Sequence, residues 1–235
     1  MRRYLLVDDN EAFSENLAEI LRDDGAEVMT ANGGPQAIER VRAERYDALL
    51  TDMRMPVMSG AGVVHAIRRI DPGLPALVVT AYTGDDDLAA ARQEGLLAVL
   101  PKPTPIALLI SLLKSAKRSG LVVIVEDDER LADNLCELLR ERGYSAIKAA
   151  SVMETERLGP VAPFLALVDM RVPGGPGGEA LRRLEVSFPK LPRLIITGYP
   201  EEIRPENTSR VFTKPFDSGE LMRAVDGAYA QRGGA

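Results

Sequence analysis

Cysteine is nearly missing from this chain of 235 residues, and the single one, Cys136, excludes an intramolecular disulfide. It sits in Leu135-Cys136-Glu137-Leu138-Leu139, where it reads as a small helix residue rather than a reactive thiol. Long apolar runs are missing as well. The longest, Ile106 to Leu113, is interrupted by Ser111 and falls short of the roughly 18 residues a membrane helix needs. There is no basic excess: the net charge is −6, whereas a nucleic-acid-binding chain would show a basic patch or stripe. Histidine occurs once, as His65, beside Val63, Val64 and Ile67 on a predicted helix. It reads as a helix-surface side chain rather than a phosphohistidine or a metal ligand. Met1-Arg2-Arg3 begins like an export signal, but Tyr4 to Val7 then meets Asp8-Asp9, so the apolar region is too short. These absences lead us to expect a cytoplasmic protein with no membrane and no nucleic-acid partner. The remaining balance, 46% hydrophobic and 27% charged, is that of an ordinary globular chain.

What is present is a repeat. Tyr4-Leu5-Leu6-Val7-Asp8-Asp9 recurs as Val122-Val123-Ile124-Val125-Glu126-Asp127. Thr51-Asp52-Met53-Arg54-Met55-Pro56 recurs as Val168-Asp169-Met170-Arg171-Val172-Pro173. Val79-Thr80-Ala81-Tyr82 recurs as Ile196-Thr197-Gly198-Tyr199, and Pro101-Lys102-Pro103 as Thr213-Lys214-Pro215. The offsets are 118, 117, 117 and 112. Four matches in order at a nearly constant offset mark a duplicated domain rather than a solenoid unit. The spacing places the domains at 1–118 and 119–235.

Both copies read alike. Short apolar runs without alternation are strands buried on both faces: Tyr4–Val7, Val28–Ala31, Ala48–Thr51, Ala76–Thr80 and Ala98–Leu100, then 122–125, 145–149, 165–168, 193–197 and 210–212. The helix after each first strand carries apolar residues at helical spacing, Phe13, Leu17, Ile20 and Leu21, then Leu131, Leu135, Leu138 and Leu139. Gly25 and Gly143 stop these helices. Further helices are predicted near 35–45, 60–70, 85–94 and 105–118. Strands alternating with helices mean an α/β fold, a doubly wound parallel sheet of (βα)5 units in each copy. Ligands of such sheets bind at the carboxyl ends of the strands. Asp8, Asp9, Asp52, Thr80 and Lys102 all fall at or just past such an end.

That edge suits one chemistry. Three close carboxylates cannot all ionise without a cation. Mg²⁺ takes oxygen ligands and often adds phosphate oxygens. A lysine supplies further positive charge and a threonine hydroxyl can donate to a phosphoryl oxygen. Aspartate is itself a nucleophile toward phosphorus. Taken singly, each residue has a plainer reading: a turn or cap acid, a solvated lysine, a strand-end threonine. Their combination, repeated in register, favours phosphoryl transfer to aspartate.

The acidic pair after strand one, the strand-three Asp followed by x-x-x-Pro, the strand-four Thr and the strand-five Lys-Pro together resemble the response-regulator receiver family, twice over nearly the whole chain. The resemblance implies a flavodoxin-like fold with strand order 2-1-3-4-5 in each domain. It implies Asp52 and Asp169 as phosphoacceptors, with one Mg²⁺ per domain. Asp9 would bind the metal directly, Asp8 through water, and the backbone carbonyl of Arg54 would complete the set. Thr80 would be the switch hydroxyl and Lys102 the phosphoryl-contacting lysine. The matching residues of the second domain are Glu126, Asp127, Asp169, the carbonyl of Arg171, Thr197 and Lys214. Glu126 in place of Asp is a common variant within the family. The Lys102-Pro103 and Lys214-Pro215 bonds would be cis. The donor would be a phosphohistidine on a histidine kinase or phosphotransfer protein.

The chain departs from the family in several places. Where the family carries Tyr or Phe, three residues before the lysine, stand Val99 and Val211. A ring cannot report the switch there, so transmission would fall to other residues such as Tyr82, Tyr199 or Phe212. From Thr197 to Lys214 is 17 positions, against 22 from Thr80 to Lys102. Pro200 and Pro205 fall in that shorter segment, so its helix is expected to be one turn or absent. The loop Pro173-Gly174-Gly175-Pro176-Gly177-Gly178 reads as a mobile lid, since it lacks G-x-x-x-x-G-K-[ST] and does not follow strand one. The helix at 105–118 is more apolar than one buried face requires, which points to an interdomain or homodimer contact.

The reading is therefore a phosphoacceptor signalling protein with self-catalysed phosphorylation and dephosphorylation, not an enzyme acting on a separate substrate. No effector segment is expected after Ala230, so output would be binding of a downstream protein or relay of the phosphate. The alternatives are the receiver portion of a hybrid kinase and a second domain serving as a non-phosphorylated scaffold. A dehalogenase-like phosphatase would carry a second aspartate two residues after the first; Arg54 and Arg171 stand there instead.

Overall fold

A computed structural model describes residues 1–81, 94–158, 161–203 and 210–232. The chain divides into two compact units. One comprises Met1–Gly120 with Arg140–Ser145 and Pro160–Ala162, and the other comprises Leu121–Leu139, Ala146–Gly159 and Pro163–Ala235.

The first unit runs β1 (Arg3–Val7), α1 (Glu11–Asp23), β2 (Glu27–Ala31), α2 (Gly34–Ala43), β3 (Ala48–Asp52), α3 (Gly60–Arg68), β4 (Ala76–Thr80), β5 (Ala98–Pro101) and α4 (Ile106–Ser115). Its sheet has the order β2-β1-β3-β4-β5. The pairs β1–β2, β1–β3, β3–β4 and β4–β5 are all parallel. The helix expected at 85–94 and Tyr82 lie outside the described residues, apart from Glu94 itself.

Strand side chains alternate between two buried layers, as a sheet covered on both faces requires. Leu5, Val7, Leu49 and Val78 pack with Val63, Val64 and Ile67 of α3. Tyr4, Leu6, Leu50, Leu77 and Val79 pack with Leu17 and Leu21 of α1 and Leu109 and Leu113 of α4. The buried face of α1 is Ser14, Leu17, Ala18 and Leu21, so the expected stripe is rotated. Phe13 is pushed to the rim, where 39% of it stays exposed. On α4, Leu109, Leu112 and Leu113 are buried while Ile106 and Leu108 are exposed.

The second unit runs β6 (Leu121–Val125), α5 (Glu129–Glu141), β7 (Ser145–Ala149), α6 (Val152–Glu156), β8 (Leu165–Asp169), α7 (Glu179–Ser187), β9 (Arg193–Thr197), a 3-10 turn (Pro200–Glu202), β10 (Arg210–Thr213) and α8 (Ser218–Arg232). Its sheet order is β7-β6-β8-β9-β10, the same topology. Val123, Val125, Ala166, Val168 and Ile195 form one core layer with Ala180, Leu181 and Leu184 of α7. Two connections are cut down. Helix α6 has 5 residues where α2 has 10. Between β9 and β10 the described residues hold a single 3-10 turn of three residues, in line with the prolines there. Pro205 lies outside the described residues. Among the described residues no helix is long and apolar enough to cross a membrane.

A buried charge stiffens the base of the first unit. Arg68 is 4% exposed at the end of α3. Its Nε donates to Glu94 O at 2.9 Å, Nη2 to Gly95 O at 2.8 Å, and Nη1 to Pro72 O at 3.0 Å and to Leu74 O. Burial pulls its pKa down to about 10, so it stays charged at neutral pH. The segment after α4 is held at the same end of the sheet. Arg118 pairs with Asp71 at 2.7 Å and donates to Tyr46 O, and Ser119 N donates to Gly73 O at 2.6 Å.

Candidate functional site

Each proposed site residue is delivered by its strand. Asp52 and Thr80 are the last residues of β3 and β4, while Asp8 and Lys102 stand one residue past β1 and β5. In the second unit Asp169 and Thr197 end β8 and β9, and Glu126 and Lys214 follow β6 and β10. The parallel register lines up these ends, so residues more than ninety positions apart meet.

In the first site, Asp8, Asp9 and Asp52 each offer a carboxylate oxygen, all within 4.8 Å of one another. Asp8 and Asp52 are buried and Asp9 is exposed. Lys102 Nζ lies 2.9 Å from Asp52 Oδ1 and 3.3 Å from Asp8 Oδ2. Asn10 N donates to Asp8 Oδ1 at 2.9 Å, and the Asn10 side chain caps α1 by accepting from Phe13 N at 3.1 Å. Burial raises the Asp8 pKa, against the hydrogen bond from Asn10 and the charge of Lys102. Burial works to lower that of Lys102, but its hydrogen bond to Asp52 and the field of both carboxylates outweigh it, and the net shift is upward. Thr80 is fully buried beside them. The Phe13 ring centroid is 5.2 Å from Lys102 Nζ, within cation–π range.

The loop after β3 returns closely on Asp52. A Cβ on Gly60 would stand 2.2 Å from Asp52 O, so only glycine fits there. Val57 in the same loop has φ 71 with an exposed side chain, a costly conformation for a β-branched residue. Arg54 lies in this turn, exposed, two residues past Asp52.

The second site repeats the plan with closer contacts. Oxygens of Glu126, Asp127 and Asp169 lie within 4.8 Å of one another. Lys214 Nζ is 2.7 Å from Glu126 Oε2 and 2.6 Å from Asp169 Oδ2. Burial raises the Glu126 pKa, opposed by Lys214. The Lys214 pKa is raised as well: burial would lower it, and its hydrogen bonds to Asp169 and Glu126 prevail. Arg171 N donates to Asp169 Oδ1 at 3.0 Å, which sets the backbone of Arg171 against that carboxylate. Thr197 Oγ1 accepts from Tyr199 N at 3.0 Å. Both Lys102-Pro103 and Lys214-Pro215 are cis, as expected.

Sequence reasoning did not find Glu202. Its carboxylate clamps the Arg171 guanidinium, with Nε donating to Oε2 at 3.1 Å and Nη2 to Oε1. The guanidinium also lies over the Tyr199 ring, Cζ 3.6 Å from the centroid. His65 sits on the surface and pairs with Glu94 at 2.7 Å.

Fold and site together define a tandem of doubly wound α/β units, each with a lysine-braced acidic cluster at the carboxyl edge. The family model for the response regulator receiver domain matches residues 4–114 and 122–226. The chain is 60% identical over 233 residues to a response regulator receiver protein of Anaeromyxobacter sp. (strain Fw109-5), covering 99% of this chain and 98% of that one. It is 36% identical over 159 residues to the transcriptional regulatory protein PrrA of Mycobacterium tuberculosis, covering 68% of this chain and 58% of that protein. Similar solved structures include the Vibrio cholerae chemotaxis protein CheY4, 30% identical with TM-score 0.46, covering 48% of this chain and 97% of that one. Another is the receiver domain of the Pseudomonas aeruginosa sensor histidine kinase PA1611 with magnesium in its active-site cleft, 31% identical with TM-score 0.45, covering 48% and 94%. The chain belongs to the response regulator receiver domain family and carries two such domains in tandem.

Proposed function

We propose that this protein is a two-site phosphoacceptor, taking phosphoryl groups onto Asp52 and Asp169 from a phosphohistidine donor. The observation that carries the reading is the same in both units: three carboxylates with oxygens within 4.8 Å, braced by one lysine ammonium within 3.3 Å of two of them. Three carboxylates against one ammonium leave excess negative charge in hard oxygen donors, which fits Mg²⁺. Asp8, Asp9 and Asp52 would hold it in the first unit with the Arg54 carbonyl, and Glu126, Asp127 and Asp169 in the second with the Arg171 carbonyl. A bound Mg²⁺ would neutralise charge on the phosphoryl oxygens.

The chain's own groups do the rest. A carboxylate oxygen of Asp52 or Asp169 attacks phosphorus, the P–N bond breaks, and the donor histidine nitrogen leaves with the electron pair. Lys102 or Lys214 moves from its carboxylate partners to a phosphoryl oxygen, and Thr80 or Thr197 turns its hydroxyl to another. Hydrolysis of the aspartyl phosphate by water restores the carboxylate and releases phosphate, so no separate substrate is turned over. Output is binding of a downstream protein or relay of the phosphate.

The test is direct. The protein is incubated with Mg²⁺ and acetyl phosphate, and phosphates are counted by intact mass for wild type, Asp52→Asn and Asp169→Asn. Two phosphates in wild type, one removed by each substitution, are expected. No adduct under donor excess would sink the reading for both sites.

A further inference from the structure

The second unit carries a side-chain cluster that this chemistry does not use. Arg171 is tied by its backbone N–H to the acceptor Asp169, and Tyr199 by its backbone N–H to the hydroxyl of Thr197. Their side chains meet in the stack described above, and Glu202 closes the group by gripping the guanidinium with both oxygens. Glu202 Oε2 would also lie 3.2 Å from a Cβ placed on Gly177, so the clasp reaches over the glycine-rich loop. One end thus touches the acceptor and the other the switch hydroxyl. Val211, at the position where the family carries an aromatic reporter, packs against the core and cannot swing a ring.

A guanidinium matches the paired oxygens of a carboxylate and of a phosphoryl group equally well in shape. The phosphoryl group carries more charge, and an exposed ion pair such as Arg171–Glu202 is weak in water. The Arg171 backbone already contacts the acceptor carboxylate, so phosphoryl oxygens on Asp169 fall within reach of its side chain. We propose that Arg171 is a phosphoryl-binding residue of the second site, parked on Glu202 and Tyr199 until Asp169 is phosphorylated. Its transfer to the phosphoryl group releases the 199–203 turn as the output signal of this unit. The bound guanidinium then shields phosphorus from water and prolongs the aspartyl phosphate.

This rests on Asp169 accepting phosphate, and the test separates the two ideas. The full chain with Asp52→Asn is phosphorylated by acetyl phosphate and Mg²⁺. Adduct lifetime is followed by intact mass, and release of the turn by a glutamate-specific protease cutting at Glu201 or Glu202. Cutting several-fold faster in the phosphorylated state is expected. Arg171→Gln should shorten the adduct lifetime several-fold and make cutting fast without phosphate, with Arg171→Lys in between. Glu202→Gln, cut at Glu201, should lengthen the lifetime and likewise open the turn. No adduct at Asp169 overturns the phosphoacceptor reading and this inference with it. A normal adduct whose lifetime ignores both substitutions, or cutting that ignores phosphate, overturns this inference alone.

Discussion

The two acidic sites hold the same groups at different tension. In the first, Lys102 stands 2.9 and 3.3 Å from its two carboxylates; in the second, Lys214 stands 2.6 and 2.7 Å away. Two substitutions accompany the difference. Glu126 replaces Asp8, and its extra methylene carries the carboxylate toward the ammonium. Leu131 stands where the first unit has Phe13, so the ring 5.2 Å from the Lys102 ammonium has no counterpart at that position. In the proposed chemistry a lysine leaves its carboxylates to meet a phosphoryl group, and it leaves a looser pair more readily. Duplicated chemistry can therefore be set to two different speeds by side chains that flank the phosphoacceptor and its lysine. We expect the first site to load faster than the second.

The largest expected break between the units concerns stability. Arg68→Met would strip four backbone carbonyls of their shared donor and should cost the first unit about 3 kcal/mol. Urea unfolding read by hydrogen exchange of peptides from each unit checks this, since the second unit has no buried arginine among the described residues and should hold its midpoint. Next come the lysines. Lys102→Ala should slow loading of Asp52 on the order of 100-fold while leaving Asp169 alone, and Lys214→Ala the reverse. Time courses of site-resolved phosphorylation would show it, and equal slowing of both aspartates would deny that the sites act separately. The smallest effect sharpens the comparison itself. Glu126→Asp should loosen Lys214 and speed the second site about fivefold, roughly 1 kcal/mol. An unchanged rate would mean that the lysine contacts do not set the pace.

Much of this was legible in the sequence, for identifiable reasons. A parallel strand buried on both faces writes itself as an unbroken apolar run, and Leu165-Ala166-Leu167-Val168 could be little else. The residues just past such runs must share an edge, which brought Asp8, Asp52, Thr80 and Lys102 together without any contact being known. Periodicity was less exact. On α1 it favoured the large Phe13 and Ile20, whereas the small Ser14 and Ala18 are what let the helix lie close on the sheet. Arg68 was invisible because a charged residue at a helix end is read as facing solvent. Glu202 was invisible for another reason: its partner Arg171 belongs to a different loop, and the adjacency of two loops is not written in spacing along the chain.

The clamp of Arg118 on Asp71 and Tyr46 has a mechanical consequence. Tyr46 and Asp71 precede β3 and β4, so the chain leaves the first receiver from the floor of the sheet, opposite the acceptor rim. Five-residue strands rising about 3.3 Å per residue put roughly 16 Å between the two ends. The last residues of the first unit are thereby tied to the end of the sheet away from the acidic cluster. Any message sent down the connector has to travel the full height of the strands, through the packed layers that Arg68 stiffens at their base.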